Sequence, residues 1–171
     1  VLFRSEAAEG VCSGDGLESY EVLDVLSQLV HKSLVVVEEG PEGEARYRLL
    51  EVLRRYGAER LAETGRTEDV GGRHASYFLT MAERAAPELA ASKQVLCLDR
   101  LESDYDNFRA AMAWALESAH GETALRIASA LTWVWVFHHH VNDGQEWLER
   151  AALNSGDGSP QVRTIGLARA A

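Results

Sequence analysis

The stretch from Lys32 to Tyr56, KSLVVVEEGPEGEARYRLLEVLRRY, constrains the fold of this chain more than any other. SLVVVEE is short and β-branched, GPEGEA has the composition of a turn, and RYRLL is a second strand-like run, so a two-stranded β-hairpin is predicted. From Leu49 to Leu61 the apolar residues recur with helical spacing, and Gly65 stands where a helix ends. Strand, turn, strand and helix are therefore expected in that order.

Two helices are predicted before this hairpin. EAAEGVC, at residues 6–12, is a short helical candidate, and residues 17–30 place Leu23, Leu26 and Val30 on one helical face. The loop SGDG separates the two. Helix, helix, hairpin and helix is the order of a winged-helix domain, which we predict over residues 6–65.

The first five residues, VLFRS, do not fit this pattern. They equal the translation of the end of a common sequencing adapter. We therefore predict that residues 1–5 are non-native, that the genuine reading begins near Glu6 on an incomplete gene fragment, and that these five residues have no structural role.

The rest of the chain is predicted to be helical, with a connector over residues 66–118 and the start of tetratricopeptide-like (TPR-like) repeats over residues 119–171. In the connector, one apolar stripe runs along a helix from His74 to Leu89. A second, heptad-like stripe predicts one helix of almost five turns. Its members are Leu98, Leu101, Tyr105, Phe108, Met112 and Ala115.

The TPR-like part is predicted to begin with a helix over Thr123–His138, which VNDG would break before GQEWLERAAL starts another. SPQVRTIGLARAA is expected to begin a further helix that the chain cuts short. The predicted fold class is thus mainly α: a winged-helix domain with a two-stranded β-hairpin, followed by an α-helical TPR-like superhelical region.

Four common catalytic and cofactor-binding motifs are absent from the sequence. Neither lysine, Lys32 or Lys93, ends a phosphate-binding GxxxxGK[ST] loop, and GxSxG, HExxH and GxGxxG do not occur. Cys12 and Cys97 are predicted to be lone thiols, because no zinc or redox spacing surrounds them. No apolar run reaches the roughly 20 residues of a membrane helix. We expect a non-enzymatic, cytoplasmic protein.

Three groups of side chains invite a functional interpretation. Residues His138–His140 with Asp143 suggest a metal site, but adjacent helical residues point about 100° apart, so a helix C-terminus with histidines is favoured. The carboxylates of Asp99, Glu102 and Asp106, near Arg100 and Arg109, are interpreted as a solvated, salt-bridged helix face rather than an acid/base pair. The tryptophans at positions 133, 135 and 147 are interpreted as core residues rather than a ligand box.

The charge of the predicted winged-helix region argues against DNA. Residues 1–64 contain seven Lys/Arg and thirteen Asp/Glu, a net charge of −6. The hairpin tip EEGPEGEAR is mostly acidic, and the candidate recognition helix ESYEVLDVLSQLVHK has its acids at the N-terminal end. Because Lys and Arg contacts to phosphate supply most non-specific affinity, direct DNA binding by this part of the chain is not expected.

The sequence resembles the central region of signal-transduction ATPases with an NB-ARC-like core, particularly bacterial LuxR-type and antibiotic-regulator-type transcriptional regulators. The resemblance covers about residues 6–171 and is carried by EAAEGVC, LDVLSQLVHKSLVVVEE, YRLLEVLRRYGAERL, LDRLESDYDNFRAAMAWALE and DGQEWLERAAL. It implies an upstream P-loop ATPase core that binds ATP or ADP, a winged-helix lid and a helical-repeat sensor. No cofactor is expected in this part of the chain.

The resemblance also implies an interface between the winged helix and that core. Relatives often have Met-His-Asp after the wing, with a histidine that contacts ADP; Leu49, Leu50 and Glu51 stand at the matching positions here. A leucine cannot make that hydrogen bond. Only an interdomain interface role is carried over, to Leu50, Glu51 and Arg54.

The leading hypothesis is a non-catalytic regulatory or sensor fragment of an ATP-dependent signalling switch. Its expected partners are its own ATPase core and an unidentified protein or small-molecule effector on the repeats, without any membrane. The alternative is a winged-helix DNA-binding transcription factor with a helical effector or dimerisation domain, and a small helical enzyme is the third hypothesis.

Overall fold

The computed structural model describes residues 1–14, 16–40, 43–87, 89 and 94–155. This part of the chain is mainly helical, with one two-stranded antiparallel sheet. The chain divides into two compact units, Val1–Tyr77 and Phe78–Ala171. Its elements are α1 Ser5–Cys12, α2 Ser19–His31, β1 Val35–Glu39, β2 Ala45–Leu49, α3 Glu51–Glu63, α4 Thr67–Ala85, α5 Gln94–Ser103, α6 Tyr105–Glu117, α7 Gly121–Ala130, α8 Thr132–Phe137 and α9 Val141–Asn154.

The first unit has the predicted helix, helix, hairpin, helix order. The hairpin strands pair from Val35 opposite Leu49 to Glu39 opposite Ala45. The helices α1 and α2 pack against each other, and each also contacts the hairpin. The winged-helix fold is therefore confirmed. Its buried apolar side chains are Ala7, Val11, Val22, Leu26, Val35 and Ala75.

Phe3 adds a third segment to this small sheet. Its amide N–H donates to the Tyr47 carbonyl at 3.0 Å, the Tyr47 amide N–H donates to the Phe3 carbonyl at 2.8 Å, and the two rings stack 5.8 Å apart. Residues 1–5 were expected to have no structural role, and that expectation is wrong for Phe3. A backbone bridge requires no particular side chain, so their predicted non-native origin stays a prediction.

The second unit buries the heptad-like stripe as expected, because all six of its members lie in the core. The prediction of one continuous helix is nevertheless wrong. Asp104 separates α5 from α6: its amide N–H donates to the Leu101 carbonyl at 3.1 Å, and its carbonyl accepts from the Asn107 amide at 2.9 Å. The break inserts no extra residues, so the apolar spacing continues through it.

Helix boundaries also differ from the expectation elsewhere in the chain. The predicted helix over Thr123–His138 is divided at Leu131 into α7 and α8. VNDG does not break a helix but forms the first turn of α9, since the chain turns at His139, whose φ is 64°. Gly144 lies against Trp135 so closely that an added Cβ would be 2.3 Å from the ring. This glycine therefore permits packing rather than ending a helix.

The tetratricopeptide assignment and the domain limits 6–65, 66–118 and 119–171 stay predictions. The helix predicted in SPQVRTIGLARAA lies outside the described residues. Among the residues that the structure describes, no helix is long and apolar enough to cross a membrane.

The glycines at positions 57 and 65 make a matched stability test, because an added Cβ would meet no atom within 4 Å at either. Gly65 has a φ of +69°, which disfavours a side chain, whereas Gly57 lies inside α3. We expect Gly65→Ala to lower the free energy of unfolding by about 1 kcal/mol. Gly57→Ala should raise it by roughly 0.5–1 kcal/mol. Urea unfolding followed by circular dichroism measures both changes. If the two substitutions changed the free energy of unfolding in the same direction, the assignment of Gly65 as a left-handed helix end would be contradicted.

Candidate functional site

The second helix of the helix-turn-helix, α2, has one buried and one solvent-facing side. Val22 and Leu26 are buried in the core of the unit. The opposite side is exposed over about three turns. Its members are Tyr20, Asp24, Ser27, Gln28 and His31. This face, called the α2 outer face below, offers hydroxyl, carboxylate, amide and imidazole groups.

The acids at the start of α2 have a structural role. Glu18 and Glu21 form a capping box: the Glu18 side chain accepts from the Glu21 amide, and the Glu21 carboxylate accepts from the Glu18 amide at 2.7 Å. The Glu21 carboxylate thus satisfies the backbone amide of Glu18 at the start of the helix. The two carboxylates also lie at the positive end of the helix dipole.

The turn between α1 and α2 is fixed by its backbone and by α4. Gly14 and Leu17 exchange two backbone hydrogen bonds of 2.8 and 3.0 Å. Arg73 donates to the Ser13 carbonyl at 2.6 Å and to the Asp69 carboxylate at 2.9 Å. Gly10 approaches the Tyr77 ring so closely that an added Cβ would be 2.6 Å from it. Ser13 and Gly14 of the predicted SGDG loop are therefore held by Arg73 of α4 and by the backbone of Leu17, respectively.

Most arginines of the first unit are engaged by carboxylates. The pairs are Arg4–Glu44, Arg48–Glu38, Arg54–Glu51, Arg60–Glu63, Arg66–Asp69 and Arg73–Asp69. Arg46 is buried and donates to the Leu2 carbonyl. With the residues that the structure describes, Lys32 and Arg55 form no ion pair. Most of the positive charge of this unit is thus compensated by carboxylates among the described residues.

The predicted interface residues lie at the start of α3. Arg54 donates two hydrogen bonds to Glu51, of 2.9 and 2.7 Å, and these bonds lower the pKa of the Glu51 carboxyl. Leu50 is exposed, as are Val52 and Tyr56. None of the thirteen residues of α3 is buried. The helix therefore presents apolar side chains to solvent.

The second unit contains a polar cluster around Tyr105. Its hydroxyl donates to the Asp143 carboxylate and accepts from the Trp135 ring N–H at 3.0 Å. Burial and the Asp143 carboxylate raise the pKa of Tyr105. The Tyr105 ring stacks on His140, whose Nε2 lies 2.8 Å from the Glu102 carboxylate. Asp143, considered above as a metal ligand, thus accepts a hydrogen bond from the Tyr105 hydroxyl.

The carboxylates of α5 pair differently from the expectation. Asp99 and Glu102 lie against His138 and His140 at 4.0 and 2.8 Å, rather than against arginines of their own helix. Within the described ranges, no group of three or more His, Cys, Asp or Glu side chains is arranged to hold a metal ion. Trp135 and Trp147 are buried as predicted, but Trp133 is 48% exposed, so its assignment to the core is wrong.

The geometry of the first unit defines a winged helix-turn-helix: two packed helices joined by a fixed turn, then a hairpin. Residues 5–62 match the family model described as "Winged helix-turn-helix domain". No solved structure matches the chain.

Similar proteins occur in mycobacteria. The chain is 39% identical over 145 residues to a protein named "Putative HTH-type transcriptional regulator" in Mycobacterium tuberculosis strain ATCC 25618 / H37Rv, and equally to one of that name in Mycobacterium bovis. The match covers 85% of this chain and 16% of each relative. An "Uncharacterized protein" of M. tuberculosis is 37% identical over 77 residues, which is 44% of this chain and 19% of that protein. The chain thus spans about a sixth of the length of the first two relatives.

These findings correct one prediction and leave others open. The expectation that direct DNA binding is unlikely is wrong, because the matched winged helix-turn-helix family and the relatives' names as transcriptional regulators both point to DNA. The finer resemblance to NB-ARC-like ATPases and LuxR-type regulators stays a prediction, as does ATP or ADP binding by another domain.

Sequence reasoning missed two features of the site. The capping box had a signal, since two glutamates three residues apart stand directly before the apolar run of α2. The contact of Arg73 with the Ser13 carbonyl had none, because the two residues are 60 positions apart in the chain.

The capping box predicts different effects for two substitutions of Glu21. Glu21→Ala removes the acceptor for the Glu18 amide and should lower the free energy of unfolding by about 1 kcal/mol. Glu21→Gln keeps an acceptor for the Glu18 amide and should lower the free energy of unfolding by less. Asp24→Ala, on the exposed face of the same helix, is the control and should change stability by less than about 0.5 kcal/mol. A Glu21→Ala variant as stable as the control would contradict the capping role.

Proposed function

We propose that this part of the chain binds DNA through its winged helix-turn-helix and acts, without catalysis, in transcriptional regulation. The observation that carries the proposal is the match of residues 5–62 to a winged helix-turn-helix domain, on a unit with the corresponding element order. The names of the mycobacterial relatives support it.

The α2 outer face has the chemistry to read base edges. In such folds the second helix enters the major groove. A glutamine such as Gln28 can bond adenine through two hydrogen bonds, and a carboxylate such as Asp24 can accept from the amino group of cytosine. Both side chains are exposed. An acid on this face therefore does not exclude DNA, because it would face bases rather than phosphates.

The distribution of charge sets how the affinity would arise. Phosphate contacts require Lys or Arg that are unpaired or that can leave a carboxylate partner. Among the described residues, Lys32 and Arg55 form no ion pair, whereas the other exposed arginines of the unit must first leave a carboxylate. The non-specific component of the affinity should accordingly be small. Base contacts by α2 should contribute most of the total affinity for a specific site.

Substituting Gln28 tests the proposal. Duplexes selected from a random-sequence pool by the 171-residue chain serve as the probe, and fluorescence anisotropy measures the affinity. Gln28→Ala should weaken binding to the selected duplex by about 1–3 kcal/mol, the value of a good two-bond base contact. Gln145→Ala, an exposed glutamine on α9, is the control and should bind like the wild type. Failure to select any sequence would contradict DNA binding.

We also propose that α3, with Glu51 and Arg54, and the preceding residue Leu50 form an interface with another domain of a longer polypeptide. The motive is that Leu50, Val52 and Tyr56 are exposed along a helix with no buried residue. An isolated helix of this length is marginal in water, so a covering surface would stabilise it. The relatives are about six times as long as the matched segment.

Hydrogen exchange in the 171-residue chain tests this interface. The amides of α3 should exchange faster than those of α2, at every protein concentration, because the described part of this chain buries no residue of α3. The same measurement on a longer polypeptide should show protection of α3. Protection that rises with the concentration of the 171-residue chain would instead identify a second copy as the covering surface and would contradict the interdomain proposal.

A further inference from the structure

The two arginines on the strands of the wing differ in accessibility. Arg46 is 2% exposed and donates to the Leu2 carbonyl at 3.4 Å. The side chain of Arg48 is 43% exposed. Of the arginines on the described strands, Arg48 is therefore the one that a ligand in solution can reach.

Arg48 is already bound within the wing. Its Nε donates to the Glu38 Oε1 at 2.7 Å. The strand register places Arg48 opposite Val36, two residues before Glu38 on the same face of the sheet, so the two side chains are diagonal neighbours. Both are partly exposed, at 43% and 38%. Exposed ion pairs of this kind contribute little to stability, so a competing anion can displace Glu38.

A DNA phosphate is such an anion, since guanidinium groups bind carboxylates and phosphates through the same planar fork. We propose that Glu38 competes with the DNA backbone for Arg48 and thereby lowers the affinity of the wing for DNA. The inference rests on the proposed function. It assigns Glu38 a positioning role that acts through Arg48, without contact between Glu38 and DNA.

Glu39 provides the matched control. It follows Glu38 in β1, so its side chain points to the opposite face of the sheet. Among the described residues it forms no ion pair. Glu38→Gln removes one negative charge and releases Arg48, whereas Glu39→Gln removes one negative charge and releases no arginine.

The experiment measures binding of the 171-residue chain to a mixed-sequence DNA duplex by fluorescence anisotropy at several salt concentrations. No operator sequence is required, because phosphate contacts are independent of sequence. One added phosphate contact steepens the slope of log affinity against log salt by about 0.9. The advantage of Glu38→Gln over the wild type should therefore shrink about threefold between about 50 and about 200 mM salt. Glu39→Gln should leave the slope near that of the wild type.

A double variant tests whether the effect of Glu38 acts through Arg48, as in a double-mutant cycle. Glu38→Gln with Arg48→Gln should lose the steeper slope, because no arginine is then released. Glu38→Thr, with a residue that favours strands, should reproduce the effect if the glutamine variant folds poorly, as judged by circular dichroism. Equal slopes for the Glu38 and Glu39 variants would overturn the inference while leaving DNA binding intact. Absence of binding by the wild type and all variants would overturn the proposed function as well.

Discussion

Ion pairing of arginine is the interaction on which the properties of the first unit depend. Arg73 fixes the turn of the helix-turn-helix through the Ser13 carbonyl and Asp69. Arg4, next to the Phe3 bridge, is buried and paired with Glu44, and Arg48 is held across the wing by Glu38. The same side chains that would bind a polyanion thus have other partners in the folded unit. Fold and ligand binding compete for them.

The elements of the fold followed from local sequence patterns, whereas their boundaries required tertiary information. The β-branched run and the turn chemistry predicted the hairpin. The heptad-like stripe predicted the core face correctly, but its spacing is the same whether or not the helix is interrupted at Asp104, so periodicity could not reveal the break. VNDG has the composition of a helix end, yet it forms the first turn of α9, and Gly144 is needed there because the Trp135 ring leaves no space for a side chain.

The candidate site was less predictable, for a reason that concerns charge. A formal charge count assigns the same weight to Glu21, which caps α2, and to Asp24, which faces solvent. It also treats Arg46 as a surface cation, although this side chain is buried. Only the structure distinguishes charges with internal partners from charges that an approaching ligand meets. The prediction against DNA rested on that count, and the match of residues 5–62 to a winged helix-turn-helix domain overturns it.

On the proposed function, the acidity of this unit has a physical advantage. Phosphate contacts strengthen specific and non-specific binding alike, and a genome offers a large excess of non-specific sites. Holding Arg48 on Glu38 withdraws one such contact from every sequence equally. Base contacts by the α2 outer face then decide a larger share of the affinity. A negatively charged winged helix-turn-helix would therefore bind weakly to arbitrary DNA and depend strongly on the bases that α2 meets.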